Sequence, residues 1–251
     1  PTNMAQLDRV FLFQSAKLGN PAHLLAEMAQ AKLILDQPPQ VRRIYGVSGG
    51  ALAALGFALA LAARLDPAGW GKGAGALEDF QSFVQHMRSH RVRSLNRNPY
   101  YGPYRLKPLR GWLTGRLRAY CGREDVLLSQ IPVPLYLCAM DQDAVFTLFG
   151  KIDGSHQYQY QFVQVGPPQD APVLDALEAA LSTMLSTSPV QVNGKWYRDC
   201  RPSVVDAGAI VTELEGIDPL QLRRSLPYTP TRKWKLNFLT SSFIMHSQFE
   251  R

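Results

Sequence analysis

Ile44-Tyr45-Gly46-Val47-Ser48-Gly49-Gly50-Ala51-Leu52-Ala53 is the stretch from which the rest of the chain can be read. From Val41 to Gly46 the residues suit a short buried strand, whereas positions 51–63 hold only Ala, Leu, Gly and Phe. That thirteen-residue run predicts a buried helix, since a membrane span needs ~18–20 apolar residues. Strand therefore meets helix across Gly46-Val47-Ser48-Gly49-Gly50, a G-x-S-x-G pattern. A turn this tight forces unusual dihedrals and close backbone approach. It lifts the serine off the sheet edge at a helix N-terminus, where negative charge is favoured. The pattern also occurs by chance as a plain turn; its place between a strand and a helix is what points to a nucleophile.

Upstream, Val10-Phe11-Leu12-Phe13 reads as a second buried strand, followed by a helix opened by Asn20 as N-cap and Pro21 at its first position. Leu24, Leu25, Met28, Ala31 and Leu35 recur at helical spacing, and Pro38-Pro39 stops the run. Strand, helix, strand, helix in that order predicts an α/β fold with a mainly parallel central sheet covered by helices. Downstream, 69–75 reads as a glycine-rich loop before a helix around 76–88. Strands are expected at 134–140, 144–149, 158–165 and 195–199, with a helix at 173–185. Asp141-Gln142-Asp143 joins two of these strands and suits a turn better than a metal site. Gly71-Lys72-Gly73 follows a helix and lacks the phosphate-loop pattern. Beyond 219 the pattern weakens.

The composition narrows the classes. In 251 residues, 46% hydrophobic and 19% charged, there is material for a sizeable core, and no disordered or disulfide-stapled chain is implied. Cys121, Cys138 and Cys200 are few and far apart, without ligand spacing, so reduced thiols and no zinc are expected. Pro1-Thr2-Asn3-Met4 lacks the features of a secretion signal, so a cytoplasmic protein is expected, peripheral to a membrane at most.

A nucleophilic serine needs a base. Of His23, His86, His90, His156 and His246, only His246 follows a candidate acid, Asp199 or Asp206, in the chain order of a Ser-acid-His triad. His23 lies in a helix's first turn, and His86 and His90 lie among arginines, settings of solvated surface. The alternative is a Ser-Asp pair.

Here the chain resembles the patatin-like phospholipases. That family pairs a G-x-S-x-G serine with an aspartate reached through a small-residue helix, a proline and a short hairpin. Ala180-Leu181-Ser182-Thr183, then Ser188-Pro189-Val190-Gln191-Val192-Asn193-Gly194-Lys195-Trp196-Tyr197-Arg198-Asp199, is similar to that stretch. Pro134-Leu135-Tyr136-Leu137-Cys138-Ala139-Met140-Asp141 is similar to the family's central strand. The likeness is strongest over 10–202, with 203–251 read as an extension of one domain spanning 1–251. It implies a three-layer α/β/α fold and a lipid acyl-ester hydrolase without cofactor. Ser48 would attack, Asp199 would act as base, and an acyl-serine would form. The oxyanion would be held by backbone N–H groups around Ser15, Ala16, Lys17 and Gly49. Cys200-Arg201 replaces the family's glycine pair after the aspartate, and the glycines before Lys17 are absent. These departures motivate a second reading, a non-catalytic patatin-fold binding or assembly subunit. A third is an esterase with a Ser-His-Asp triad through His246.

The net charge of +7 is regional. Ten basic residues and no acidic one fall within 88–123, leaving 17 basic against 20 acidic elsewhere. Arg88, Arg91, Arg93, Arg97, Arg105, Lys107 and Arg110, interleaved with Tyr100, Tyr101, Tyr104 and Trp112, are candidates for an anionic membrane surface. A solvated surface with core aromatics is the blander reading, and no nucleic-acid motif accompanies the charge.

Overall fold

The computed structural model describes residues 9–14, 21–36, 41–86, 94–95, 104–152, 164–183, 187–200, 207–219 and 222–224. Its opening follows the expected order. β1 (Arg9–Phe13) leads to α1 (Pro21–Asp36), β2 (Val41–Val47) and α2 (Gly50–Leu65). β5 (Leu135–Asp141) and β6 (Phe146–Phe149) come next in the main sheet. They are preceded by a two-stranded ribbon, β3 (Ser94–Leu95) and β4 (Tyr104–Arg105). A hairpin of β7 (Val190–Val192) and β8 (Lys195–Arg198), then β9 (Leu222–Arg224), complete the strands. The parallel core runs β9-β1-β2-β5, and β6, β8 and β7 add antiparallel strands on the β5 side.

Strand alternation divides the interior in two. Phe11, Phe13, Ile44, Leu135, Leu137 and Ala139 belong to one core with α1, α2, α4 (Ala76–Gln85), α5 (Lys107–Cys121) and α6 (Val173–Leu181). Val10, Leu12, Tyr45, Val47, Tyr136, Cys138 and Met140 belong to a second core with α7 (Ala207–Glu215). Helices thus pack on both faces of a mostly parallel sheet. α2 is the pivot of the first core: every residue from Gly50 to Ala63 is buried, which is why its sequence has no polar face. Phe57 meets both Phe11 and Phe13 with ring centroids 5.6 Å apart.

α7 is fixed by charge as well as packing. The β1–β2 register slips between Arg9 and Val10, so Arg42 is an extra residue in β2. Arg42 and Arg43 both reach Glu215 of α7, at 3.4 and 2.6 Å, and Tyr45 donates its hydroxyl to the same carboxylate. Burial, and then that carboxylate, hold the Tyr45 phenol well above its ordinary value.

Some expectations need revision. The glycine-rich stretch is partly helical: α3 (Pro67–Trp70) is capped by Asp66, which accepts the Gly69 N–H at 3.0 Å, and a 3₁₀ turn spans Gly71–Gly73. The fourth sheet strand starts at Phe146 because Asp141 accepts the N–H groups of Asp143 and Val145 and holds 142–145 as a turn. Residues 153–163 and Asn20 lie outside the described residues. Among the described residues no helix is long and apolar enough to cross a membrane.

Candidate active site

Ser48 follows the last residue of β2 and begins the turn into α2, and its φ of +54° lies in the left-handed region that side chains seldom adopt. Two glycines make that turn possible by close approach. A Cβ on Gly46 would lie 2.7 Å from Ala51 Cα and 2.8 Å from Ala54 Cβ. On Gly50 it would lie 2.3–2.5 Å from the backbone of Phe13 and Gln14. The elbow is therefore pressed between α2 and the end of β1. Gly49 has ordinary helical angles, and the Ala51 N–H turns back to the Ser48 carbonyl at 3.0 Å.

The strand registers bring the second group to it. β6 occupies one edge of β5 along 137–140, so β2 and β8 share the other edge. β2 pairs as far as Val47 opposite Cys138, and β8, running the other way, pairs as far as Arg198 opposite Met140. Ala139 lies opposite the gap between them, and the residues that leave the two strand ends into that gap are Ser48 and Asp199. The Ser48 hydroxyl donates to Asp199 Oδ2 at 2.6 Å, the length of a hydrogen bond to a charged oxygen. Both residues are 1% exposed. The sequence predicts a serine lifted off the sheet edge; the structure places it there but buries it.

Asp199 is braced from behind. Its N–H donates to the Ser182 carbonyl at 3.0 Å, and Ser182 Oγ donates to the Ser188 carbonyl at 2.6 Å. The preceding Arg198, wholly buried, donates to the Thr187 carbonyl at 2.8 Å. Burial pushes its guanidinium down to about 10. The hairpin that delivers Asp199 turns at Asn193-Gly194, both with positive φ, the signature of the tight turns suited to strand twist. Lys195 reaches Asp141 Oδ2 at 3.4 Å and ties the hairpin to the β5–β6 turn. That carboxylate raises the Lys195 ammonium. Cys200 is buried with its thiol 3.7 Å from the Cys138 carbonyl, and the carboxylate before it reaches Ser48.

Ser15, Ala16 and Lys17, the expected oxyanion residues, lie outside the described residues, as do His90, His156, His246 and Asp206. His23 is exposed on α1, and His86 is exposed at the end of α4 with Nδ1 2.7 Å from the Ser82 carbonyl. Among the described residues no group of three or more His, Cys, Asp or Glu side chains is placed to hold a metal ion.

Of the basic segment, Arg88, Arg91, Arg93 and Arg97 also lie outside the described residues, while Arg105 and Lys107 are exposed. α5, which the sequence reading leaves unassigned, spends its arginines internally. Arg110 contacts Asp175 and Glu178 at 2.6 and 2.9 Å, Arg116 contacts Asp79 at 3.3 Å, and Arg118 pairs with Glu124. Trp112 stacks on Phe83 with centroids 4.2 Å apart, and the Tyr120 hydroxyl donates to Asp79. These two aromatics are packing residues.

One buried acid near the elbow escapes the sequence reading. Glu27 of α1 accepts the Gln14 N–H at 2.8 Å and is wholly buried. It falls on the same stripe as Leu24, Met28 and Ala31, and a lone acid on an apolar stripe is the signal that could have found it. No protein-family model and no curated protein matches the chain.

Proposed function

We propose that this chain is a serine acyl-ester hydrolase of patatin-like architecture, acting on lipid esters through Ser48 and Asp199. The observation that carries the reading is the 2.6 Å hydrogen bond from a serine held at positive φ on a strand-to-helix turn to a buried aspartate. Nucleophilic serines are recognised by that geometry and not by chain order. The approach to the aspartate supports the patatin-like arrangement, since α6, Pro189 and the β7–β8 hairpin precede it in the family's order.

In the proposed reaction, Asp199 takes the Ser48 proton as Oγ attacks the ester carbonyl. The oxyanion forms beside the α2 N-terminus, where Gly49 contributes a backbone N–H and a favourable dipole. Collapse expels the alcohol, which takes the proton from Asp199 and leaves an acyl-serine. Water, deprotonated by Asp199, then attacks the acyl carbonyl, and collapse releases the carboxylic acid as Ser48 Oγ takes the proton back from Asp199. The residues used are all present in the chain, and no step calls on a cofactor. An anionic lipid surface engaging the 88–107 part of the basic segment belongs to the same proposal.

Burial of both groups to 1% exposure favours one other reading, a patatin-fold binding or assembly subunit whose dyad is a structural relic. Hydrolysis of a short-chain p-nitrophenyl ester separates the two. The hydrolase reading expects Ser48→Ala and Asp199→Asn each to remove turnover while a His246→Ala variant keeps it. Turnover unchanged by Ser48→Ala sinks the assignment, and a greater loss in His246→Ala than in Asp199→Asn favours a triad. A wild-type protein inactive on every ester tried supports the subunit.

A further inference from the structure

We infer that Glu27 is a positioning residue for the nucleophile elbow, acting through the Phe13–Gln14 backbone. This rests on the ester-hydrolase reading and names a residue outside the dyad that sets its efficiency.

Ser48 is held at a strained φ, and the second residue after it, Gly50, lies so close to the end of β1 that a Cβ would come within 2.5 Å of Phe13 C, Phe13 O and Gln14 N. The Phe13–Gln14 peptide is thus the wall against which the elbow is pressed. β1 pairs with β2 up to Phe13 opposite Gly46, so Gln14 lies past the last paired position and the ladder no longer holds its N–H. Glu27 Oε1 takes that N–H at 2.8 Å from the first helix, with no exposure to solvent. The group that fixes the wall is therefore a side chain.

The choice of a carboxyl group is informative. Taking one out of water is costly, and it is tolerated where hydrogen bonds repay it. One such bond here, from the Gln14 N–H, places a peptide in van der Waals contact with the elbow. Such bracing acts on the transition state more than on substrate binding, because Ser48 Oγ must sit correctly between Asp199 and the carbonyl it attacks only as the bond forms.

The test uses the full chain with wild type, Glu27→Gln, Glu27→Asp and Glu27→Ala, measuring kcat and KM on p-nitrophenyl butyrate, the rate of Ser48 labelling by a fluorophosphonate, and thermal stability. Glu27→Gln keeps an oxygen acceptor at the same reach and should hold kcat within about threefold of wild type. Glu27→Asp withdraws the acceptor by one methylene, and Glu27→Ala removes it. A displacement of ~1 Å at the reacting atoms costs up to ~10²-fold, so kcat should fall ~10- to 100-fold in both with KM within about twofold. Labelling should slow in parallel. If Glu27→Ala does not fold, Glu27→Asp carries the comparison. Folded Glu27→Asp or Glu27→Ala protein with wild-type kcat and labelling overturns the inference and leaves the hydrolase reading standing. So does loss of thermal stability alone. A wild-type protein that is neither active nor labelled removes the hydrolase reading and this inference with it.

Discussion

Replacing Gly50 with Ala tests how tightly the elbow is built. The added methyl would meet Phe13 C at 2.3 Å, Phe13 O at 2.4 Å and Gln14 N at 2.5 Å, against 3.4–4 Å for ordinary contact. All three atoms are backbone, and β1 is held on both sides by β2 and β9, so no side chain can swing away to make room. Relief requires α2 to retreat from β1 by about 1 Å along its buried first turn. Overpacking of this kind costs ~1–3 kcal/mol, and the absence of a flexible neighbour places Gly50→Ala at the upper end, ~3 kcal/mol. At ~2–4 °C per kcal/mol for a chain of this size, Tm should fall by about 6–12 °C. The matched control is Gly111→Ala in the middle of α5, where a Cβ would meet nothing within 4 Å. There Ala gains ~0.5–1 kcal/mol over Gly, so Tm should rise by a few degrees. Differential scanning calorimetry of the two variants gives both numbers. A Gly50→Ala protein within about 2 °C of wild type, or the two variants shifting in the same direction, would refute the reasoning.

Further expectations follow from the same contacts. Burial pushes the Glu178 carboxyl up in spite of Arg110 beside it, so the folded state binds its proton more readily than the unfolded chain. That contribution is present in full in acid and is lost as pH rises through the raised value. Wild type should therefore gain stability relative to Glu178→Gln as pH falls from about 7 toward 4, and urea unfolding showing the opposite trend would contradict it. Arg110→Met should destabilise by ~2 kcal/mol or more in urea, because Asp175 and Glu178 lose a shared partner and Glu178 is largely buried; a loss under ~0.5 kcal/mol would show the cluster to be energetically idle. Replacing Arg91, Arg93 and Arg97 together with Gln should weaken binding to phosphatidylserine vesicles at low salt without changing turnover of a soluble ester, at ~1 kcal/mol or less per charge. Vesicle binding as tight as wild type removes the membrane role, and equal salt-dependent binding to DNA without lipid preference points to a nonspecific polyanion surface.

The sequence speaks most clearly where a local rule has one solution. Gly46, Ser48 and Gly50 fall where a strand must become a helix within three residues, and the structure uses both glycines for close approach and the serine at positive φ. The buried helix after them is legible from its lack of any polar residue over 51–63. Asp199 is visible through the Pro189 hairpin. Its distance from Ser48 is not, because the meeting of two residues 151 apart in the chain depends on β8 taking over the edge of β5 where β2 stops at Val47. Arg110 reads as a surface cation since Asp175 and Glu178 lie on another helix. Glu215, which binds Arg42, Arg43 and Tyr45 at once, depends on a strand bulge that no composition rule announces. Local geometry was readable, and long-range pairing of charge was not.

The central claim is that Ser48 is an activated nucleophile. Its most direct measurement is covalent capture: incubation of the full chain with a fluorophosphonate, intact mass, and mapping of the tryptic peptide 44–64. One adduct per chain is expected, on Ser48, absent from Ser48→Ala and formed much more slowly in Asp199→Asn. No adduct at all, an adduct on another serine, or labelling of Ser48 at the same rate when Asp199 is Asn would contradict it.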